Sequence, residues 1–467
     1  MKHSIKIFNT LTGKKDPLKP IKAKKINIFV CGPTVYDYPH IGHGRLSVTF
    51  DFFVKYLRSC GYNVFYLQNI TDLDDKIIAR AKEKGVSPKD LAVAFEKEYI
   101  KGMKGLGVTA VSKYARATDY IKEIVSQVKR LIEKGYAYEI KDDGIYYDIS
   151  KFKDYGKLAG RTALDAEDSV SRVDYSKDKR NRGDFCIWKF RQQEGEPSWP
   201  APFGQGRPGW HIEDTAITEK FFGAQYDIHG GARDLIFPHH EAEVSLMESL
   251  SGKKPLVRYW MHAGFLTVGG QKMSKSLKNF ITIDDFLRRC EGNYFRFFVA
   301  KNLWNQPMDY SESALIEIKS AVGKIEDFLR KLKSCNINSK NQNIKLIKNF
   351  KEEFFRELDD NFNTPKALAV IFEFIKSANT LLEKGLLSKR EALEIYKFFE
   401  DINEIFGFMD YKKINFKIPA KIKKLADQRE KFRKEKNWQK SDELRKEIER
   451  QGYVIEDTAM GLSIKKL

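Results

Sequence analysis

Short apolar runs alternate with amphipathic stretches over the first part of the chain. The runs INIFV at 26–30 and NVFYL at 63–67 each predict a buried strand. Between them, apolar residues recur every three or four positions and predict a helix that ends at Cys60 and Gly61. These apolar positions are Leu46, Phe50, Phe53 and Leu57. A second helix is predicted in DDKIIARAKEKG, 74–85, so the order strand, helix, strand, helix indicates a parallel α/β sheet.

The next part of the chain departs from this alternation. Residues 121–132 carry apolar side chains at helical spacing after the candidate cap Thr118. The stretch KGYAYEIKDDGIYYDI, 134–149, predicts a hairpin that turns at Asp142-Asp143-Gly144. Residues 150–208 are polar and rich in glycine, proline and charge, so we interpret them as a mixed insertion that interrupts the sheet.

Strand character returns in FFGAQYDIHGG, 221–231, and a helix is predicted to follow from the histidine pair at 239–240. From about residue 311 the pattern is helical, without an internal repeat. Three amphipathic segments cover 312–334, 365–385 and 390–407, a fourth and very basic one covers 424–452, and VIEDTAMGLSIKKL, 454–467, predicts a small hairpin. The pattern therefore predicts an α/β domain over 1–310, a helical bundle over 311–411 and a small basic module over 412–467.

Composition narrows the class of protein. With 467 residues, 42% hydrophobic and 31% charged, the chain is typical of a soluble globular protein of several domains. No apolar run approaches the roughly 18 residues of a membrane span, and the N-terminus lacks the pattern of a secretory signal. The five cysteines are odd in number and scattered, which favours a reducing cytoplasm. The net charge of +19 favours a nucleic-acid partner, with a generally lysine-rich composition as the alternative.

Two segments about 230 residues apart carry the chemistry: PHIGHGR at 39–45 and KMSKS at 272–276. Imidazoles at a helix N-terminus suit the phosphates of a nucleotide, because the free N–H groups and the helix dipole favour anions there. A loop with two lysines can close over the phosphates in the transition state. The candidate phosphate-binding residues are His40, His43, Lys272 and Lys275, with Gly42 leaving room for the nucleotide. A buried histidine pair and a solvated lysine loop are the alternatives for each segment taken alone.

The combination of these segments resembles the class I aminoacyl-tRNA synthetases, and CGPTVYDYPHIGHGR resembles more specifically the cysteinyl-tRNA synthetases. Further matches, over residues 3–467, include QNITDLDDKI, DFCIWK, GRPGWHIE, DIHGGARDLIFPHHEAE and LDDNFNTPKAL. The resemblance implies a Rossmann-like parallel-sheet catalytic domain with a connective insertion at about 115–208, followed by an all-α tRNA-binding region whose last module, 412–467, contacts the anticodon. It also implies activation of L-cysteine by MgATP to cysteinyl-adenylate, then transfer to the 3′-terminal adenosine of tRNA(Cys).

The resemblance further implies one zinc ion, and thiol chemistry gives it a purpose. Cysteine and serine differ by one atom, which packing discriminates poorly, whereas zinc binds a thiolate avidly. Cys31, His239 and Glu243 match the zinc ligands of the family. Asp214 stands where the family carries a second cysteine; a carboxylate is a competent but harder ligand. The alternatives are that Asp214 is no ligand and the ion is absent, and that Glu243 is a surface charge. His240 and Glu241 are expected to be packing or outer groups.

Further residues receive roles by the same resemblance. Thr71 and Trp210 match positions that line the amino-acid pocket, with a core tryptophan as the alternative for Trp210, and Asp234 matches a position suited to the ribose of ATP. The basic segment near the end of the chain suits phosphate contacts, and Trp438 offers a stacking surface for an unpaired base. Its basic residues are Arg429, Lys431, Arg433, Lys434, Lys436 and Lys440.

Two rival functions are weighed against this reading. A cysteine ligase acting on an amino sugar resembles only the catalytic half and lacks the terminal module. A catalytically dead RNA-binding paralogue conflicts with the intact PHIGHGR and KMSKS segments. The expected partners are therefore tRNA(Cys), L-cysteine and ATP, in the cytoplasm and without a membrane, and the sequence leaves the oligomeric state open.

Overall fold

A computed structural model gives the fold of the chain. It describes residues 3–161, 176–273, 277, 279–338, 340, 342–416, 418–458 and 461–466. The chain divides into two compact units, Met1–Ile316 with Phe355–Leu368 and Glu317–Phe354 with Ala369–Leu467. Among the described residues, no helix has both the length and the apolar character needed to cross a bilayer.

The first unit is built around a five-stranded parallel sheet. In spatial order its strands are Val257–Ala263, Tyr226–Ala232, Lys25–Val30, Asn63–Ile70 and Lys113–Arg116. The predicted parallel sheet is therefore confirmed. From the central strand Lys25–Val30 the chain builds outward first on one side and then on the other, so a topological switch point lies between Lys25–Val30 and Tyr226–Ala232. Ligands of open α/β sheets bind beyond the carboxyl ends of the strands at such a point.

Helices flank this sheet. They are Ile41–Ser59, Asp75–Lys84, Pro88–Gly105, Ile121–Glu133, Trp210–Phe222, Glu241–Ser251, Ile283–Arg289 and Gly292–Ala300. Short 3-10 turns occur at Ala117–Tyr120, Ile149–Lys151 and Arg233–Leu235, and a π turn at Ile236–His240. The helices predicted before Cys60 and over 74–85 are confirmed, whereas Pro88–Gly105 escaped the sequence analysis. Its signal was present, since Ser87 caps the helix and Pro88 begins it.

The strand predicted over 221–231 began too early. Phe221 and Phe222 are the last residues of the helix Trp210–Phe222, and the strand begins at Tyr226. Gly223, with φ of 79°, ends that helix. Two adjacent phenylalanines have high strand propensity, but here they pack against other aromatic rings on a helix, so tertiary contacts override the local preference.

The insertion forms a four-stranded antiparallel sheet. Its strands, in order, are Ala137–Ile140, Gly144–Tyr147, Phe185–Phe190 and Gly206–Pro208. The predicted hairpin is confirmed, and its connection spans residues 141–143. Two smaller sheets complete the unit: the hairpin Lys6–Asn9 with Lys14–Pro17, and a three-stranded sheet of Gln271–Lys272, Leu266–Val268 and Met308–Tyr310.

The second unit is mainly helical. Its helices, three of which share residues with the first unit, are Glu312–Ser334, Ile344–Asp359, Thr364–Glu383, Lys389–Phe406, Tyr411–Ile414, Ala420–Lys434 and Trp438–Arg450. Aromatic rings fill the interior between the longer helices, with Phe350 stacked on Phe374 at 3.9 Å. Phe328 and Phe399 pack beside them. The helical character predicted beyond residue 311 is confirmed, although Ile344–Asp359 was not predicted.

The last part of the chain corrects one prediction. The basic segment 424–452, predicted as one helix, is two helices that pack on each other, Ala420–Lys434 and Trp438–Arg450. Lys436 lies between the two helices in a left-handed backbone conformation, with φ of 59°. The Asn437 side chain caps the second helix. The predicted hairpin is confirmed as Tyr453–Thr458 with Gly461–Lys466. A small separate core of Ile422, Ala426, Ile448, Tyr453 and Ile455 holds these elements together.

Candidate active site

The candidate residues gather at the carboxyl edge of the parallel sheet. Cys31 directly follows the strand Lys25–Val30, and its N–H donates to the carbonyl oxygen of Gly230 on the neighbouring strand at 2.9 Å. Thr71 directly follows the strand Asn63–Ile70. Asp234 follows the strand Tyr226–Ala232 by two residues, in an exposed turn. These residues therefore surround the switch point of the sheet.

His40 and His43 form a stacked pair at the start of the helix Ile41–Ser59. Their ring centroids are 3.8 Å apart. The N–H of Gly42 donates to His40 Nδ1 at 3.1 Å, and the N–H of His40 donates to His43 Nδ1 at 3.2 Å. Both Nδ1 atoms are therefore acceptors, which leaves the proton of each neutral ring on Nε2. Each histidine thus keeps one Nε2–H donor for an anion at the helix N-terminus.

Burial keeps both rings neutral. It lowers the pKa of His40 to about 4, and burial together with the neighbouring His40 lowers the pKa of His43 well below its usual value. The same helix carries a buried cation, Arg45, which is 2% exposed. Its guanidinium donates to the carbonyl oxygens of Phe265, Trp304 and Gln306. Sequence reasoning missed Arg45, although it ends the PHIGHGR segment.

The chain that follows the second signature segment, at residues 281–283, lies against the first segment. The N–H of Ile41 donates to the carbonyl oxygen of Ile281 at 3.1 Å, and the N–H of Ile283 donates to that of Pro39 at 2.9 Å. A Cβ atom on Gly42 would lie 2.8 Å from the His40 ring and 3.3 Å from Met273 Cε, so this approach requires glycine. The Lys272 Nζ atom lies 5.7 Å from the ring centre of Phe265. Lys275 lies outside the described residues.

The four predicted metal ligands form one buried cluster centred on His239. His239 Nε2 lies 3.1 Å from Asp214 Oδ2 and 3.2 Å from Glu243 Oε1. Ligand atoms of Asp214, His239 and Glu243 lie within 4.8 Å of one another, and those of Cys31, His239 and His240 do so as well. Glu243 is fully buried, so the alternative of a surface charge is wrong.

The buried acidic groups of this cluster would be stabilised by a cation. Asp214 Oδ1 and both oxygens of Glu243 are buried without a hydrogen-bond partner. Burial, then the carboxylates of Asp214 and Glu243, raise the pKa of the Cys31 thiol well above its usual value. Burial, then Asp214, likewise raise the pKa of Glu243. Buried anions that repel one another and lack donors are stabilised by a divalent ion, so thiol, imidazole and two carboxylates fit zinc.

More histidines surround the cluster than the two, His239 and His240, that the sequence analysis placed there. Five of the eight histidines of the chain are buried here: His211, His229, His239, His240 and His262. His240 Nδ1 lies 2.8 Å from His262 Nε2. Glu241 accepts from the N–H groups of Leu158 and Ala159, both at 2.9 Å, so one of its oxygens is engaged by the backbone. These histidines lie on strands and helices that are far apart in the sequence. No local sequence pattern therefore indicates that they come together.

The predicted amino-acid pocket adjoins this cluster. The Trp210 ring stacks on His239 with centroids 4.2 Å apart and is 38% exposed, so it is not a core tryptophan. Thr71 exchanges backbone hydrogen bonds with Pro33 and Val35, just after Cys31. Its hydroxyl accepts from Asn69 Nδ2 at 3.3 Å. The Trp210 ring thus borders the cluster, and Thr71 is bonded through its backbone to the chain that follows Cys31.

Comparison with known protein families agrees with the sequence motifs. The family described as "tRNA synthetases class I (C) catalytic domain" matches residues 17–320, and the DALR domain family matches residues 353–410. A solved structure, the Mycobacterium tuberculosis methionyl-tRNA synthetase in complex with methionyl-adenylate, superposes with a TM-score of 0.65 at 15% identity. The match covers 82% of this chain and 92% of that chain, and it shows a shared fold.

Curated relatives match over nearly their full length. The cysteine–tRNA ligase of Thermoplasma volcanium is 44% identical, with 97% of each chain covered. That of Thermococcus gammatolerans is 40% identical, with 99% of each covered. That of Carboxydothermus hydrogenoformans is also 40% identical, over 99% of this chain and all of the relative. With this identity, and with the catalytic-domain family spanning most of its length, the chain belongs to the cysteinyl-tRNA synthetases, a family of class I aminoacyl-tRNA synthetases.

Proposed function

We propose that this protein activates L-cysteine with MgATP and transfers it to the 3′-terminal adenosine of tRNA(Cys). The observation that carries the proposal is the thiol, imidazole and carboxylate cluster of Cys31, Asp214, His239 and Glu243 at the switch point of the sheet. It belongs to the same sheet edge as the helix that His40 begins. A thiol-selective site beside an anion-binding helix start is what cysteine activation requires.

His40 and His43 bind the ATP phosphates in this proposal. Their Nε2–H groups donate to phosphate oxygens, and the first-turn amides of the helix add the positive end of its dipole. Lys272 and Lys275 neutralise the negative charge that grows on the leaving pyrophosphate as the cysteine carboxylate attacks the α-phosphorus. The α-phosphorus gains a bond to the carboxylate oxygen and loses its bond to the bridging oxygen, which leaves with pyrophosphate. Positioning and charge stabilisation suffice, and no side chain bonds covalently to the substrate.

Cys31, Asp214, His239 and Glu243 would hold one zinc ion. When bound, the ion would supply a thiolate-binding position that a serine hydroxyl fills poorly. With Asp214 in place of a second thiolate the donor set is harder, and we propose that it holds zinc more weakly than a set with two cysteines. Asp214 Oδ2 and Glu243 Oε1 lie 3.1 and 3.2 Å from His239 Nε2, so these three ligand side chains converge on one place.

The remaining pocket residues bind the rest of the substrates. Trp210 covers the cysteine side chain with a ring face that excludes water and contacts sulfur favourably. The Thr71 hydroxyl hydrogen-bonds the amino-acid backbone. Asp234, exposed at the same sheet edge, accepts from the ribose hydroxyls of ATP, and Gly42 leaves space for the nucleotide beside the first turn.

The helical region over 311–411 and the module over 412–467 bind the tRNA in this proposal. The DALR domain match at 353–410 supports the first assignment. Trp438 is 58% exposed, with the Arg433 guanidinium 5.9 Å from its ring centre, which suits stacking on an unpaired base. Arg429 is only 1% exposed and is therefore not available for phosphate contact, unlike the expectation from sequence. All five cysteines lie in the described part of the chain and none is in a disulfide there, which supports work in the reducing cytoplasm.

Two assays test the proposed function. Purified protein should catalyse ATP–pyrophosphate exchange that depends on cysteine and is at least about 10³-fold slower with serine, beyond what packing alone supplies. It should also charge tRNA(Cys), and removal of residues 412–467 should abolish charging while it preserves exchange. Absence of exchange together with retained RNA binding would indicate the dead paralogue. Transfer of cysteine to an amino sugar instead of tRNA would indicate the other rival.

A further inference from the structure

One contact to the central histidine of the metal cluster has no part in the function proposed above. His211 Nδ1 lies 2.9 Å from His239 Nδ1. His211 is 5% exposed, and its ring packs edge-on against Phe185 with centroids 5.0 Å apart. The pair is therefore shielded from water, so the two Nδ1 atoms are each other's hydrogen-bond partners.

The protonation of this pair follows from which nitrogen faces the carboxylates. His239 Nε2 faces Asp214 and Glu243, so Nε2 is the atom that would bind a metal ion, and it must lack a proton. The proton of His239 is then on Nδ1, which donates to His211 Nδ1. His211 must accept there, so its own proton is on Nε2. Only this combination of tautomers satisfies both the contact and the metal ligand.

Three residues at the start of one helix contact the His239 ring, and Glu243 from another helix lies 3.2 Å from its Nε2 atom. Trp210 stacks on its face at 4.2 Å, His211 meets its Nδ1 edge and Asp214 meets its Nε2 edge. All three begin the helix Trp210–Phe222. A metal-binding imidazole usually donates its other N–H to a carboxylate, a carbonyl or water, which fixes its orientation. Here the partner is a neutral ring, which adds no charge to a cluster that already contains a thiol and two carboxyl groups.

We propose that His211 is a positioning residue that accepts a hydrogen bond from His239 Nδ1, fixes the tautomer and orientation of His239, and thereby sets the metal affinity of the Cys31, Asp214, His239 and Glu243 cluster. The inference rests on the proposed function, because it requires that the cluster binds a metal ion. It concerns a residue beyond the four ligands and the substrate pocket, and it does not require His211 to touch either substrate.

Matched variants separate the hydrogen bond from packing. In His211→Asn the side-chain oxygen can occupy the place of Nδ1 and accept the bond. In His211→Leu the volume is retained and the acceptor is lost, and His211→Gln, with its amide near the place of Nε2, is a second loss variant should the leucine variant fail to fold. Zinc affinity is measured on full-length protein without substrates, by competition with a chelator, and Co²⁺ substitution reports the ligand geometry from its visible spectrum.

The leucine and glutamine variants should bind zinc about 10- to 100-fold more weakly, whereas the asparagine variant should stay within about threefold of wild type. The Co²⁺ spectrum should change in the loss variants and be restored in His211→Asn. Equal losses in all three variants, or an unchanged affinity in a folded His211→Leu, would overturn the role of His211 while leaving the proposed function intact. Wild-type protein that binds no zinc would overturn this inference and the proposed metal site, while exchange and charging assays on the wild type test cysteine activation and tRNA charging independently.

Discussion

Two histidine clusters of this molecule use the same side chain for ions of opposite sign. His40 and His43 begin a helix, accept hydrogen bonds from backbone N–H groups at Nδ1, and keep Nε2–H groups as donors. His239 faces two carboxylates at Nε2 and has its Nδ1 against another imidazole. Burial makes neutral rings of the first pair, so only the hydrogen-bond partner of Nδ1 decides whether Nε2 donates or accepts.

This difference shows that the tautomer, and not the residue type, carries the chemistry. A backbone N–H against Nδ1 gives an anion site, because it forces the proton to Nε2. An acceptor against Nδ1 gives a cation site, because it forces the proton to Nδ1 and leaves the Nε2 lone pair free. Substitutions that alter one nitrogen at a time therefore test the comparison directly.

The largest effect is expected from removal of the thiol ligand. Cys31→Ser should lower kcat/KM for cysteine in pyrophosphate exchange by about 10³-fold or more, since a bound metal contributes several kcal/mol and about 1.4 kcal/mol corresponds to tenfold in rate. The zinc content should fall in parallel. MgATP affinity should be unchanged because the phosphate site is the other cluster, and loss of both affinities would mean that the two clusters are not independent.

A smaller effect is expected at the phosphate site. His43→Asn, which has no donor at the place of Nε2, should lower kcat for exchange by about 10²- to 10³-fold, as for other donors aimed at developing charge. His43→Gln puts its amide N–H near the place of Nε2 and should lose no more than about tenfold. Cysteine KM and zinc content should change in neither variant. An asparagine variant as active as the glutamine variant would contradict the assigned tautomer.

A gain is expected from Asp214→Cys. Replacement of an oxygen ligand by a second thiolate should raise zinc affinity by on the order of tenfold, because zinc prefers soft sulfur donors. Chelator competition measures the affinity, and Asp214→Asn, which keeps the shape and removes the charge, serves as the control that should bind zinc more weakly than wild type. If the cysteine and asparagine variants bind zinc equally well, position 214 is not a ligand.

The sequence predicted the first cluster better than the second for a physical reason. His40, Gly42 and His43 lie within one helix start, so their spacing alone specifies the arrangement. His211 and His239 come from separate helical segments, and the packing of these segments on each other brings the two rings together. The helix that carries Trp210 and His211 was itself not predicted, because residues 211–218 are all buried and the helix therefore lacks the alternating polar and apolar faces that indicate one.

The smallest effect concerns pH. It is also the most direct test of the charge state of the histidines at the phosphate site. Burial lowers the pKa of His40 from 6.5 to about 4, so its ring stays neutral from pH 6 to pH 8. If phosphate binding uses neutral Nε2–H donors, the dissociation constant of MgATP should change by less than about twofold over this range. An imidazolium with the ordinary pKa near 6.5 would instead lose its proton between pH 6 and pH 8, and affinity for the anionic nucleotide would fall as pH rises. Equilibrium binding of a nonhydrolysable MgATP analogue measures this dissociation constant. Because cysteine is left out, the metal cluster does not contribute to the measurement.

The lowered pKa of His40 also fixes the sign of a stability change. Below pH 6.5 the unfolded chain binds more protons at His40 than the folded one, so the free energy of unfolding should decrease as pH falls from 6.5 towards 4. Nucleotide affinity that falls several-fold from pH 6 to pH 8, with stability flat below pH 6.5, would show that His40 binds phosphate as a cation and would remove the contrast between the two clusters.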